Sequence, residues 1–249
     1  MANFLITGCS DGLGLELATQ LAASCTNQMQ NVIATARYDK SAALRTLVES
    51  SNGRVHFLKL DPTDPVSVKE AAARIAGFFG FIDALINNAD SLNLVSGGID
   101  EMDDLVPMFN AVVNSAQMVT AAFMPLLRKG SMKKVINISS VFGSIGMSER
   151  HLRWSIPSFK VSNAALNMLT VQWAHQNKDI TFMAVSPGWL QTDLGTSIFD
   201  LTVAESGQAV LRIMLTKGPE ATGKFFDIRL AGGEPRAVLG EYEYPELPW

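Results

Sequence analysis

Two cysteines, three tyrosines and three histidines are all that the 249 residues contain. Cys9 and Cys25 close no disulfide framework, so nothing in the chain calls for an oxidising compartment. Lysine and arginine total 20 against 24 acidic residues, and they are scattered. That excludes the basic footprint of a nucleic-acid or anionic-membrane binder, and a small-molecule partner is expected instead. No apolar run is long enough to span a bilayer, and the start of the chain enters Phe4–Ile6 without a basic, signal-like segment. The expected location is the cytosol, and no metal site is expected. What is present is a 47% hydrophobic chain with no linker, repeat or low-complexity stretch, so residues 1–249 read as one domain.

Short apolar runs rich in branched residues alternate with longer segments of helical period. This pattern predicts an α/β fold, a single-domain doubly wound parallel sheet of Rossmann type with helices on both faces. Strands are predicted over 4–6, 31–36, 55–60, 84–87, 134–138, 181–185 and 224–228, and helices over 12–23, 42–49, 66–78, 103–128, 157–176 and 203–214. The least regular stretches, 143–155, 191–201 and 230–249, follow strands that end at one edge of the sheet. Ligands of open α/β sheets bind outside those carboxyl ends, so these are the expected substrate loops, with 230–249 near the pocket.

The first strand runs into Thr7-Gly8-Cys9-Ser10-Asp11-Gly12-Leu13-Gly14. Glycines there permit a tight turn and let backbone approach a pyrophosphate at a helix N-terminus, although an ordinary strand-to-helix turn has the same composition. With its threonine, glycine, three free positions and Gly-x-Gly, the segment resembles the fingerprint of the short-chain dehydrogenase/reductase family. Further matches carry the resemblance over nearly the whole chain. Asp61 matches the family's adenine-binding aspartate, Asn87-Asn88-Ala89 its segment under the cofactor, and Pro187-Gly188 with Thr192 its nicotinamide-end segment. Ser186–Asp193 and Leu247-Pro248-Trp249 are most similar to the C-factor and sniffer-type carbonyl reductases. The resemblance implies a cofactor site of Thr7, Gly8, Ser10, Gly12, Leu13, Gly14, Arg37, Asp61, Asn88, Ala89, Lys160, Pro187, Gly188 and Thr192. Arg37, after the second strand, stands where a basic residue would pair with a 2′-phosphate, so NADP(H) is favoured over NAD(H). A solvated loop arginine is the plainer reading of the same residue, and Asp11 would oppose a phosphate beside it.

In that family a tyrosine hydroxyl protonates the substrate oxygen as hydride arrives, with a lysine, a serine and an asparagine in support. The resemblance carries over Asn114, Ser140 and Lys160. The tyrosine belongs four residues before the lysine, one helical turn away. That residue is Ile156. The only tyrosines are Tyr38, Tyr242 and Tyr244, the first at the adenine end and the others in the C-terminal segment, where either could serve as a substitute. Replacement donors close in sequence are His151, Ser155, Arg150 and Arg153. His151 is chemically the best of them, yet a loop histidine between two arginines is commonly just solvated. Asp90 replaces the glycine that closes the family's Asn-Asn-Ala-Gly segment. It reads equally as a turn residue or as a carboxylate near the nicotinamide.

Three functions are compatible with these departures. One is reduction or cyclisation of an iminium-like substrate, which needs no proton donor and whose charge Asp90 would offset. Some fungal alkaloid-pathway members of the family have lost the standard tetrad for such chemistry, which brings fungal-type secondary metabolism into view. The second is a conventional carbonyl reductase with a relocated acid, and the third a cofactor-binding scaffold. Relatives pair through long helices, which makes a second copy of the chain the protein partner that the resemblance implies.

Overall fold

The computed structural model describes residues 2–24, 30–88, 98–190, 201–228 and 246–249. Seven strands, β1 (Ala2–Ile6), β2 (Gln30–Ala36), β3 (Val55–Lys59), β4 (Ala84–Asn87), β5 (Lys134–Ile138), β6 (Thr181–Ser186) and β7 (Lys224–Asp227), form one sheet in the order β3-β2-β1-β4-β5-β6-β7. Every pairing between them is parallel. The strands are apolar on both faces because helices cover both. The period of two in β1 shows the division. Phe4 and Ile6 enter a core with Leu17, Leu21, Val210 and Met214, while Leu5 enters the opposite one with Ile75, Phe123 and Phe182. The first core lies under α1 (Gly12–Ala23) and α7 (Val203–Thr216), the second under α3 (Pro65–Phe78) and α5 (Ser115–Leu127).

Sheet order reverses where β1 lies between β2 and β4, the crevice in which open α/β sheets take nucleotides. Local signals set the helix starts around it. Ser41 caps α2 (Ala42–Ser50) by accepting from Leu44 N, Asp64 caps α3 ahead of Pro65, and Thr202 and Glu205 form a capping box at α7. The predicted strands and helices match the observed ones to within two residues at each end, with one exception. The helix expected over 103–128 is divided into α4 (Leu105–Phe109), a π-helical turn (Asn110–Asn114) and α5. Within the widened turn Asn114 donates to the side chain of Asn110, and the Ser115 hydroxyl donates to the Ala111 carbonyl. Such local bonds compete with the regular ladder, and composition alone does not reveal them. No helix among the described residues is long and apolar enough to cross a membrane.

At the amino end of the sheet a buried carboxylate joins three strands. One oxygen of Asp83 accepts from Asn3 N at 2.8 Å, and the other accepts from Ser131 N and Oγ, each at 2.8 Å. The Asp83 backbone bonds Asn3 O and Lys134 N as well, so β1, β4 and the approach to β5 share one residue. Asp83→Ala leaves the buried Asn3 N–H without its acceptor and cuts the tie to Ser131. We expect it to lower unfolding free energy by about 3 kcal/mol or more in urea titrations. Unchanged stability would mean that water replaces the carboxylate at no cost.

Candidate active site

The nucleotide end is built where β1 and β4 finish. Thr7 Oγ1 accepts from Asn88 N at 2.9 Å, and Asn88 Nδ2 returns bonds to the carbonyls of Thr7 (3.0 Å) and Gly8 (3.2 Å). Gly8 sits at φ +71°, a left-handed conformation that glycine adopts without strain. Gly14 is held by space: a Cβ there would lie 2.2 Å from Gly8 O and 2.5 Å from Asn88 Nδ2. Asp11 takes the N-cap position of α1, but its side chain makes no capping bond, leaving the first N–H groups at Gly12, Leu13 and Gly14 to another acceptor. Space lies open where a Gly12 Cβ would stand. A close backbone turn, an uncapped helix start and open space above it suit a dinucleotide pyrophosphate. Cys9, between the glycines, is fully buried, and its desolvated thiol is pushed up to about 12.

The residues expected to select the nucleotide lie along the same edge. Ser41 Oγ donates to Ser10 O, which ties the loop after β2 to the glycine turn. That loop exposes Arg37, whose guanidinium makes no hydrogen bond or ion pair with the described residues. Asp61 follows β3; its Oδ1 accepts from Thr63 N and Oγ1, and its own N–H donates to Ser67 Oγ. Pro187 and Gly188 follow β6, with Gly188 at φ +77° and Pro187 O accepting from Ser206 Oγ at 2.7 Å. Ala89, Asp90, Thr192, Tyr242 and Tyr244 lie outside the described residues, as does Cys25.

The chemical end gathers around α6 (Pro157–Gln176). Lys160 Nζ donates to two backbone carbonyls of the preceding loop, His151 O at 2.7 Å and Trp154 O at 2.9 Å. Partial burial draws its pKa down from the ordinary lysine value. Ile156 immediately precedes the helix, is 1% exposed, and shares an apolar cluster with Met108, Val112, Phe142, Phe159 and Leu247. The Lys160 backbone N–H bonds Ile156 O at 3.0 Å, so the two residues stand one turn apart as their spacing implies. Ser140 follows β5, half-buried, and its Oγ accepts from Phe142 N at 3.3 Å. Asn114 is exposed at the end of the π turn.

His151 departs from the solvated reading of its loop. It is 0% exposed, with its ring edge-to-face against Phe142 at 4.8 Å, because residues 148–151 form a short 3-10 turn that folds it inward. Arg150, Arg153 and Ser155 remain exposed. The aromatic residues beside it belong to no catalytic or cofactor motif in the sequence. Phe142, Trp154 and Trp189 meet here, and the one available signal was that Trp154 precedes Ile156 by two positions and Trp189 follows Pro187-Gly188 directly. Close by, residues 246–249 return to the loop after β5: Gly146 N bonds Trp249 O at 2.8 Å and Ser144 Oγ bonds Pro248 O at 2.7 Å.

The pattern described as short chain dehydrogenase matches residues 2–201. The short-chain dehydrogenase/reductase atnB of Arthrinium sp is 32% identical over 238 residues, covering 90% of this chain and 86% of its own. C-signal of Myxococcus xanthus is 30% identical over 174 residues, covering 68% and 94%. Among solved structures, the NADPH-bound carbonyl reductase from chicken fatty liver superposes with a TM-score of 0.83 at 28% identity, covering 93% of this chain and 99% of its own. The carbonyl reductase Sniffer of D. melanogaster gives 0.86 at 25%, covering both chains fully.

The glycine turn supplies a direct test of the nucleotide end. Gly14→Ala forces α1 away from the Gly8 carbonyl and Asn88, and should both lower the melting temperature and abolish measurable dinucleotide binding in a fluorescence titration. Binding at the original affinity would show that the close approach is dispensable.

Proposed function

Since the chain belongs to the short-chain dehydrogenase family, we propose that it is an NADP(H)-dependent enzyme whose substrate needs no proton from a tyrosine, an iminium ion or a comparably activated small molecule. The observation that carries this reading is Ile156, buried in apolar side chains one turn before Lys160. A reduced nicotinamide supplies hydride when bound. Hydride addition to an iminium carbon leaves a neutral amine, so an apolar side chain does no harm where a ketone would require an acid. A place in fungal-type secondary metabolism goes with this reading, and the relatives of the chain include short-chain dehydrogenases of Arthrinium sp and Penicillium roqueforti.

The remaining residues divide the work. Thr7, Gly8, Gly12, Gly14 and Asn88 shape the pyrophosphate cradle, and Arg37 offers an unpaired cation at the end of β2 for a 2′-phosphate. Lys160 spends two N–H donors on the loop carbonyls of His151 and Trp154, which leaves one for a ribose hydroxyl. Ser140 presents a hydroxyl beside the substrate position, and Asp90, two residues beyond Asn88, is the carboxylate assigned to offset a cation. The full burial of His151 against Phe142 favours a packing role over that of a relocated acid.

Two measurements test this reading. First, Arg37→Ala should weaken NADP(H) binding about tenfold or more and leave NAD(H) binding as it was; equal losses for both would remove Arg37 from the selection. Second, oxidation of NADPH should be fast with a cyclic iminium and about a hundredfold or more slower with a ketone of the same skeleton. Asp90→Asn should slow the iminium reaction, and Ile156→Tyr should raise the ketone rate. Brisk ketone reduction that collapses in His151→Ala would instead establish the relocated acid, and tight NADPH binding with no turnover of either substrate would establish a scaffold.

A further inference from the structure

Three rings from three separate segments converge next to Lys160 at the carboxyl edge of the sheet. Phe142 comes from the turn after β5, Trp154 from the loop before α6, and Trp189 from the turn after β6. Ring centroids lie 4.7 Å apart for Trp154 and Trp189, 5.4 Å for Phe142 and Trp189, and 6.2 Å for Phe142 and Trp154. The two contacts of Phe142 are edge-to-face, an arrangement that the ring quadrupoles favour; the tryptophan pair is tilted by 35°, and the Arg153 guanidinium lies over the Trp154 ring, 5.4 Å from its centroid. Phe142 is buried, whereas both tryptophans keep part of their surface accessible.

Space filling alone does not account for this choice of residues. The indole Nε1 of Trp154 is shielded from water and has no hydrogen-bond partner among the described residues. A buried donor left without an acceptor costs about 1–3 kcal/mol, a penalty that leucine or phenylalanine at the same position would avoid. Trp154 is nevertheless held in place from its backbone, because its carbonyl takes one of the two Lys160 bonds. The lysine that belongs to the cofactor end thus also sets the position of the ring.

We infer that Trp154 and Trp189 form an aromatic platform that selects flat, conjugated substrates, aryl or fused-ring carbonyls and imines, over saturated ones of the same skeleton. The inference rests on the reading of this edge as a reductase pocket. Phe142 backs the platform, and Lys160 is its positioning residue. A planar π system lies against indole along its whole face, and a puckered ring touches it at only a few atoms, so dispersion and quadrupole attraction both favour the planar ligand.

Calorimetric titration of the full chain with NADP+ present tests the platform, using α-tetralone and its saturated counterpart α-decalone. Wild type should bind the tetralone about three- to tenfold more tightly. Trp154→Leu and Trp189→Leu should each erode that preference toward equality, with NADP+ affinity retained. Trp189→Phe, which keeps a ring and little disturbs the fold, should preserve it. A wild type without preference, one that binds neither ketone, or a preference that survives both leucine substitutions overturns the platform. NADP+ affinity is measured separately, and its absence would count against the proposed function. The ketone titrations, repeated without nucleotide, would still decide the platform.

Discussion

The contact on which the architecture turns is the approach of α1 to the end of β4. Gly14 stands against the Gly8 carbonyl and the Asn88 amide so closely that one added carbon has no room. Through Asn88 the turn after β1 is bonded to β4, and through Ser41 and Ser10 it is bonded to the start of α2. The crevice at the reversal of strand order is therefore braced by bonds to both neighbouring elements. A preorganised cradle of backbone N–H groups binds a phosphate without a further ordering cost.

The replacement of one side chain changes the duties of its neighbours. Beside a tyrosine, the positive charge of a lysine serves to favour the phenolate; beside Ile156 it has no such partner. Lys160 instead secures the loop that carries His151 and Trp154. The same cation would oppose a second positive charge nearby, so a cationic substrate depends on a compensating carboxylate. That requirement is what gives Asp90 its weight in the proposed mechanism.

Much of this was legible from the sequence for a physical reason: strands buried on both faces are short branched runs, and the glycines of the cradle are demanded by backbone geometry. Ser140 and Lys160 could be assigned through the family resemblance, and helical spacing then fixes Ile156 one turn before Lys160. The π turn was not legible, since it depends on side-chain bonds of Asn110, Asn114 and Ser115 that ordinary helical residues could also make. Nor was the burial of His151, which depends on a loop folding onto Phe142, or the meeting of Trp154 with Trp189 across 35 positions of sequence. Asp83 escaped notice because an aspartate before a strand usually marks a turn. Here it collects donors from β1 and from the approach to β5.

The buried thiol of Cys9 also makes the cradle observable. It lies between Gly8 and Ser10, its backbone N–H bonded to Thr35 O at 2.8 Å and its sulfur shut away from water. A thiolate reacts and a thiol hardly does, so alkylation must wait for the turn to open. In a chain whose Cys25 has been replaced, the labelling rate of Cys9 would count those openings. A ligand that binds only the closed cradle would slow that rate in proportion to its occupancy. Nucleotide binding could then be followed kinetically from inside the fold, with no substrate in hand.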